Sequence, residues 1–536
     1  MVGMVLERAN ACGSGDGVIV HIDTLADLSR RPCCLPRQPA ATTSLASQLL
    51  EKGTRMRTPA MKRHGLRSWG LGIALMLAGV SPTLAASPGA PAIDARLLGL
   101  TWIIPFAGIL LSIAVMPLAA PKFWHHHFGK VSAAWAALVI LPFAAIHGVP
   151  TAAYELIHLL LLDYIPFIVL LLALFTVTGG IRIKGNLHGS PSMNTALLAI
   201  GTVLAGWMGT TGASMLLIRS VIRANDNRKH KVHVFVFFIF LVSNIGGALT
   251  PLGDPPLFLG FLKGVSFFWT TTHLFSEMLV CVIILLGIFY AIDTYWYRKE
   301  GELKRDPTPD SPIALDGGVN IILLAAIVGV VLASGTWSPG VDFTVFHVTV
   351  ELQHVLRDLA LVGICGLSLW LTPRAVRAGN GFTWGPMTEV AKLFAGIFIT
   401  IAPALAILKV GPEGALAPLA ALVTNPDGQP NDIWYFWLTG ILSSFLDNAP
   451  TYLVFFNLAG GDPDLLMGAL ASTLAAISCG AVFMGANTYI GNAPNFMVKA
   501  VAEESGIRMP SFFGYMAWSC GILVPLFVLL TVVFFR

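Results

Sequence analysis

Two stretches decide how this chain is read: Ser243-Asn244-Ile245-Gly246-Gly247-Ala248-Leu249-Thr250-Pro251-Leu252-Gly253-Asp254-Pro255-Pro256 and Gly485-Ala486-Asn487-Thr488-Tyr489-Ile490-Gly491-Asn492-Ala493-Pro494-Asn495. Both contain Thr-x-x-Gly-(Asp/Asn)-x-Pro. Thr250 and Thr488, Gly253 and Gly491, and Pro256 and Pro494 are each separated by 238 positions. Each stretch interrupts a strongly apolar run. Gly and Pro there end a helix, which leaves carbonyls free for a cation and N–H groups free for an anion.

A second matched pair of interruptions lies upstream of these breaks. Gly209-Thr210-Thr211-Gly212-Ala213-Ser214 divides residues 192–222, and Asp447-Asn448-Ala449-Pro450-Thr451 divides residues 433–458, with Ser214 and Thr451 separated by 237 positions. The arms on either side are shorter than the roughly 20 residues a membrane helix needs. Each segment therefore reads as a helical hairpin that enters the membrane and returns. Irregular backbone at that depth is tolerated only where protein or a water-filled cavity satisfies it, so these breaks mark a binding site.

Full spans surround them, at roughly 98–119, 131–149, 154–180, 233–252 and 272–292 in a first repeat (98–292). After a linker (293–317), a second repeat (318–536) has spans at roughly 318–335, 357–372, 384–408, 466–484 and 512–534. The expected fold is an all-α polytopic membrane protein of about ten spans and two re-entrant hairpins. Five crossings per repeat is an odd number, so the second copy lies inverted relative to the first. Inverted repeats with broken helices near the midplane suit alternating access in secondary transporters.

Composition agrees. The chain is 55% hydrophobic and 12% charged with a mean hydropathy of +0.74, against about 25% charged residues in soluble domains. The net charge of +4 sits in loops rather than in a stripe with aromatics, so the bilayer is a partner and nucleic acid is not. Lys122, Lys130, Arg182, Lys184, Arg219, Arg223, Arg228, Lys229, Lys231, Arg298, Lys299, Lys304, Arg305, Arg374 and Arg377 all fall on one side, which the positive-inside rule makes cytoplasmic. Cys281, Cys365, Cys479 and Cys520 lie in apolar runs, and Cys12, Cys33 and Cys34 lack zinc-site spacing. Neither a nucleotide-binding loop nor a catalytic motif is present, which argues against an enzyme.

Residues 1–60 are polar and without helical period, and read as disordered or as an over-extended reading frame. Residues 61–86 resemble a secretory signal: Lys62, Arg63 and His64, then the apolar Leu71–Val80, then small residues to Ser87.

Asp447 at the second hairpin tip and Asp254 at the first break are carboxyls embedded in apolar sequence, where ionisable groups usually mark an ion pathway. Such a group can bind Na⁺ or, when buried, take up a proton instead. Thr210, Thr211, Ser214, Asn244, Thr250, Asn448, Thr451, Asn487, Thr488 and Asn492 add uncharged oxygens suited to a hard cation. Gly212, Gly246, Gly247, Gly253, Pro255, Pro256, Pro450, Gly485, Gly491 and Pro494 are the expected helix-breaking residues. Glu155, Asp163, Glu277, Glu389 and Lys392 lie in or near spans, where snorkelling accounts for most of them. His125, His126 and His127 are placed in a cytoplasmic loop.

These four motifs together resemble the NhaD-type sodium/proton antiporters of the ion transporter superfamily, which also holds arsenite permeases and citrate or dicarboxylate carriers. The likeness covers residues 98–536. It implies a multi-pass protein of the bacterial inner membrane, often a homodimer, moving Na⁺ or Li⁺ against H⁺ by an elevator-like displacement, without a cofactor. Dicarboxylate carriers of the superfamily typically carry Ser-Asn-Thr at both hairpin tips, which this chain lacks, and a fixed Asp447 repels an anionic substrate. Neutral arsenite or a metal–citrate complex is not repelled in that way, so carriage of citrate, a dicarboxylate or arsenite is the alternative.

Overall fold

The computed structural model describes residues 81–82, 95–301 and 311–536. Residues 1–60, most of the signal-like segment, and Lys304 and Arg305 lie outside these. Among the described residues, nine helical stretches are long and apolar enough to cross a bilayer, and Ala471–Asn487 is a shorter apolar one. The protein is an all-α polytopic membrane protein.

The first repeat opens with α1 (Ile104–Ala119) and α2 (Pro121–His147). Next, α3 (Val149–Leu159) runs through a π turn at Leu160–Tyr164 into α4 (Ile165–Thr178). The first hairpin is α5 (Pro191–Met208) packed on α6 (Thr210–Ala224). After it come α7 (Val232–Leu241), a 3₁₀ turn at Ile245–Leu249, α8 (Pro255–Leu262), the short α9 (Trp269–His273) and α10 (Phe275–Glu300). The second repeat follows with α11 (Val319–Thr336), α12 (Leu352–Leu371), α13 (Arg374–Gly379), α14 (Gly385–Lys409) and α15 (Ala417–Leu422). Its hairpin is α16 (Asp432–Phe445) packed on α17 (Asn448–Leu458). The short α18 (Pro463–Met467), α19 (Ala471–Met484), α20 (Ala493–Glu504) and α21 (Phe512–Phe534) complete it. Strands are few and short. β1 (Ser81–Pro82), β4 (Asp342–Val345) and β5 (Val348–Glu351) form one sheet, while β2 (Arg182–Lys184) pairs antiparallel with β3 (Ala314–Asp316).

Burial separates two kinds of helix. In α7, rich in Val and Phe, every side chain from Val234 to Leu241 is fully buried. Such β-branched and aromatic residues favour strands in water, but without water the backbone must satisfy itself along a helix. By contrast α12 and α21 leave large apolar side chains such as Trp370 and Phe513 exposed, as lipid-facing helices do. The hairpin and broken helices thus form the interior.

Several expectations require correction. The span read as 233–252 is Val232–Leu249, a helix that passes into a 3₁₀ turn, whereas the one read as 466–484 is the shorter Ala471–Asn487; the chain re-enters a helix directly after each break, at Pro255 and Ala493. Proline at the first helical positions lacks an N–H that would have no partner there anyway, so Pro255, Pro256 and Pro494 begin helices as well as ending the preceding run. The three histidines lie in the first turns of α2, not in a loop, because α2 starts at Pro121. Gly212 is inside α6; a Cβ there would sit 2.8 Å from Thr178 Cγ2, so it serves close packing on α4 and not a break.

One polar cluster fixes the end of the first hairpin. Arg228 Nη1 lies 2.6 Å and His233 Nε2 2.8 Å from Asp293 Oδ1, and Asn194 Nδ2 donates to Asp293 Oδ2 at 3.0 Å. Both charged side chains of the Arg228–Asp293 pair are fully buried. Removing one partner of a buried pair strands the other charge. Asp293→Asn is therefore expected to destabilise the protein by about 3 kcal/mol, the low end of the range because Glu300 remains 3.8 Å from Arg228 Nε. Thermal unfolding in detergent, monitored by intrinsic fluorescence, would show a midpoint several degrees lower.

Candidate ion-binding site

The site begins with the two breaks. Thr250 and Thr488 are extended, at φ −141°, ψ 163° and φ −136°, ψ 167°, and the N-caps Asp254 and Asn492 are extended at φ −142°, ψ 143° and φ −150°, ψ 140°. Thr250 Oγ1 donates to the Gly206 carbonyl at 2.5 Å, and Thr488 Oγ1 donates to the Ser444 carbonyl at 2.5 Å. Gly206 and Ser444 are themselves one repeat apart. The internal duplication is therefore present bond by bond: in each copy a threonine at the break ties down the end of the first hairpin arm. Thr250→Val and Thr488→Val should consequently have similar effects. Each leaves a buried carbonyl unsatisfied at a cost of about 1–3 kcal/mol, and the unfolding midpoints of the two variants in detergent should be lowered to a similar extent.

The four motifs converge on one carboxylate. Asp254 Oδ1 accepts from Thr210 Oγ1 at 3.0 Å and from Asn492 Nδ2 at 3.1 Å, while Oδ2 accepts from Asn448 Nδ2 at 2.5 Å. Thr210 opens α6, Asn448 opens α17, and Asp254 and Asn492 are the N-caps of α8 and α20. Four helix N-termini, each worth about half a positive charge, thus meet around a carboxyl that is 1% exposed. The network continues through Asn244, whose Oδ1 accepts from Asn492 at 3.3 Å and whose Nδ2 donates to Asn495 Oδ1 at 2.7 Å.

The other candidates are placed less centrally. Asp447 caps α17, its Oδ1 accepting from the Ala449 N–H at 3.0 Å; it is partly buried and within electrostatic reach of Asp254. Pro450 lies in the first turn of α17 and Thr451 donates to the Asp447 carbonyl at 2.9 Å, a bond within that helix. Ser214 pairs with Ser243 at 2.9 Å, and Asn487 donates to Ser444 Oγ at 2.9 Å. Thr211 is half-buried. Asp163 is an ion-pair partner, its Oδ1 2.5 Å from Lys263 Nζ at the end of α8. Asn495, Ser243 and Ser444 belong to the network but were not singled out from the sequence. Asn495 did carry a signal, since it is polar where the first repeat has Leu257.

Close backbone contact demands two of the glycines. A Cβ on Gly253 would lie 2.2 Å from the Gly247 carbonyl oxygen, and one on Gly491 would lie 2.6 Å from that of Gly485. These again are equivalent contacts in the two copies. Gly246 similarly lets the break approach the Thr202 carbonyl of α5.

Among the described residues no Lys, Arg or His neutralises Asp254 or Asp447. A carboxylate buried as deeply as Asp254, with only neutral donors and helix termini around it, is costly to keep charged, so a proton or a bound cation stabilises it further. The site therefore consists of a carboxyl with neutral amide and hydroxyl groups around it, apt for alternating between those two states.

A family model described as "Putative citrate transport" matches residues 95–535. The chain belongs to this family. As a member of the citrate transport family, within the ion transporter superfamily, it is a multi-pass membrane transporter. It is 24% identical to the Na(+)/H(+) antiporter NhaD of Halomonas elongata over 506 residues, 87% of this chain and 94% of that protein. It is also 25% identical over 335 residues to an uncharacterized transporter of Mycobacterium tuberculosis, and 23% identical over 340 residues to a 46 kDa membrane protein of Mycobacterium leprae. Each of these alignments covers 60% of this chain and 71% of the relative.

Proposed function

We propose that this transporter exchanges protons for Na⁺ or Li⁺ across the bacterial inner membrane. The observation that carries this reading is Asp254, buried where both hairpins and both breaks meet, with three neutral donors and, among the described residues, no basic partner. Na⁺ and H⁺ competing for that carboxyl, with Asp447 beside it, provide the exclusion an antiporter requires. The amide and hydroxyl oxygens of Thr210, Asn244, Asn448 and Asn492 complete the ion's shell, a set of hard donors. The similarity to NhaD over nearly its whole length supports the same reading. On this view the hairpins are re-entrant, and α5–α8 with α16–α20 move as a unit against the lipid-facing helices, within a homodimer.

Carriage of citrate, a dicarboxylate or arsenite is the second reading. The family description favours it, as do the four converging helix N-termini, which suit an anion once a cation has offset the carboxyls. Inverted vesicles lacking their own antiporters distinguish the two. Collapse of an imposed pH gradient on adding NaCl or LiCl, but not KCl, citrate or arsenite, is the expected result. Silence with the salts together with uptake of labelled citrate or arsenite would overturn it.

A further inference from the structure

Away from the ion site, α2, α3 and α14 line a half-open pocket of about 150 Å³. Its wall is mostly apolar, with Val139, Phe143 and Leu159 among the lining side chains, and among the described residues Glu155 is the one ionisable residue on it. Glu155 lies in the second turn of α3, inside a membrane-spanning stretch, and among the described residues neither a cation nor an N–H donor reaches its carboxylate. The wall holds a second acceptor. Pro403 lies inside α14 and lacks the N–H that would bond the carbonyl of Ile399, and both residues line the cavity. The pocket therefore combines one carboxylate with a lining that has no side-chain donor, beside a carbonyl in α14 that lacks its usual N–H partner. An apolar protein cavity of this size takes one benzene ring.

We propose that this cavity binds a small organic cation: a primary ammonium or amidinium group on an apolar body the size of one aromatic ring, with Glu155 as its counter-charge. The ring replaces empty space with contacts to Val139, Phe143 and Leu159. The N–H groups satisfy the carboxylate and the Ile399 carbonyl. A neutral ring fills the same volume but leaves the charge unpaired, and an anion is repelled.

The test uses the purified full chain in phosphatidylcholine nanodiscs with 4-fluorobenzylammonium as the probe, read by ¹⁹F NMR. Saturable binding is expected, with 4-fluorobenzyl alcohol binding about tenfold or more weakly, the worth of a charge-assisted hydrogen bond. Glu155→Gln should weaken ammonium binding to the level of the alcohol, and Val139→Trp, which fills the cavity, should remove both. Ala402→Leu replaces Val139→Trp if that variant does not elute as the parent does on gel filtration. Equal affinity for alcohol and ammonium, or unchanged binding by Glu155→Gln, would overturn the proposal. So would displacement of the probe by added phosphatidylethanolamine, which would assign the cavity to a lipid headgroup.

Discussion

Asp254→Asn is expected to lower Na⁺-dependent proton movement by about 100-fold or more, the equivalent of about 2.8 kcal/mol, while the chain still inserts and remains folded. The substitution keeps the shape but removes both the charge and the proton-accepting oxygen. It also turns one acceptor into an NH₂ group, so that amide would face the NH₂ of Asn448 or Asn492, each of which now donates to the carboxylate. Asp254→Glu retains the charge on a longer arm and should keep a measurable rate with altered cation preference. Quenching of a pH-sensitive dye in inverted vesicles gives the rate, and binding to everted membranes by immunoblot gives the insertion control. Full exchange by Asp254→Asn would remove this residue from the mechanism. Asp447→Asn is the companion measurement: abolished exchange is expected there too, and a normal rate would leave Asp254 as the sole exchanging carboxyl.

The second large effect belongs to the glycines that let the broken helices fold back on themselves. Gly253→Ala would place a methyl 2.2 Å from the Gly247 carbonyl oxygen, and Gly491→Ala would place one 2.6 Å from that of Gly485. The obstructing atoms are backbone, held by the Thr250 and Thr488 bonds to the hairpins, so they cannot move aside as a flexible side chain would. Each substitution should cost about 3 kcal/mol or more and abolish exchange, because the strain is released only by moving the N-cap residue that follows, Asp254 or Asn492. Gly287→Ala on α10 meets nothing within 4 Å and should be silent. Melting of detergent-purified protein by fluorescence-detected gel filtration separates these cases, and equal stability of all three variants would contradict the packing argument.

Much of this site was legible because its signal is local. A Gly–Asp–Pro–Pro or Gly–Asn–Ala–Pro run in apolar sequence has few physical explanations, and finding it twice at one spacing leaves fewer. The 238-residue interval then extends to the hairpin tips, where Thr210 and Asn448, 238 positions apart, both donate to Asp254, one position from the Ser214–Thr451 alignment taken from the sequence. Other features depend on three-dimensional proximity. Nothing near Asp163 announces Lys263, 100 positions away, and a lone carboxyl in a span looks the same whether it is paired or empty-handed. Gly212 has the composition of a breaker, yet its meaning comes from Thr178 on another helix. The helices after the breaks were missed because Pro255 and Pro256 read as a stop, while their ring geometry also suits a start.

Asp254 and Asn492 occupy the same place in the two copies, and they touch. A residue that contacts its own duplicate lies on the twofold axis relating the halves, where perfect symmetry would put two identical side chains face to face. Two carboxylates at that separation cannot both ionise and would share one proton, while two amides would hold no charge to trade. The axis can therefore bear a single exchangeable charge only if the copies differ there. On the proposed exchange, divergence between the repeats at this one pair is a condition for a machine built from a duplicated part to count ions one at a time.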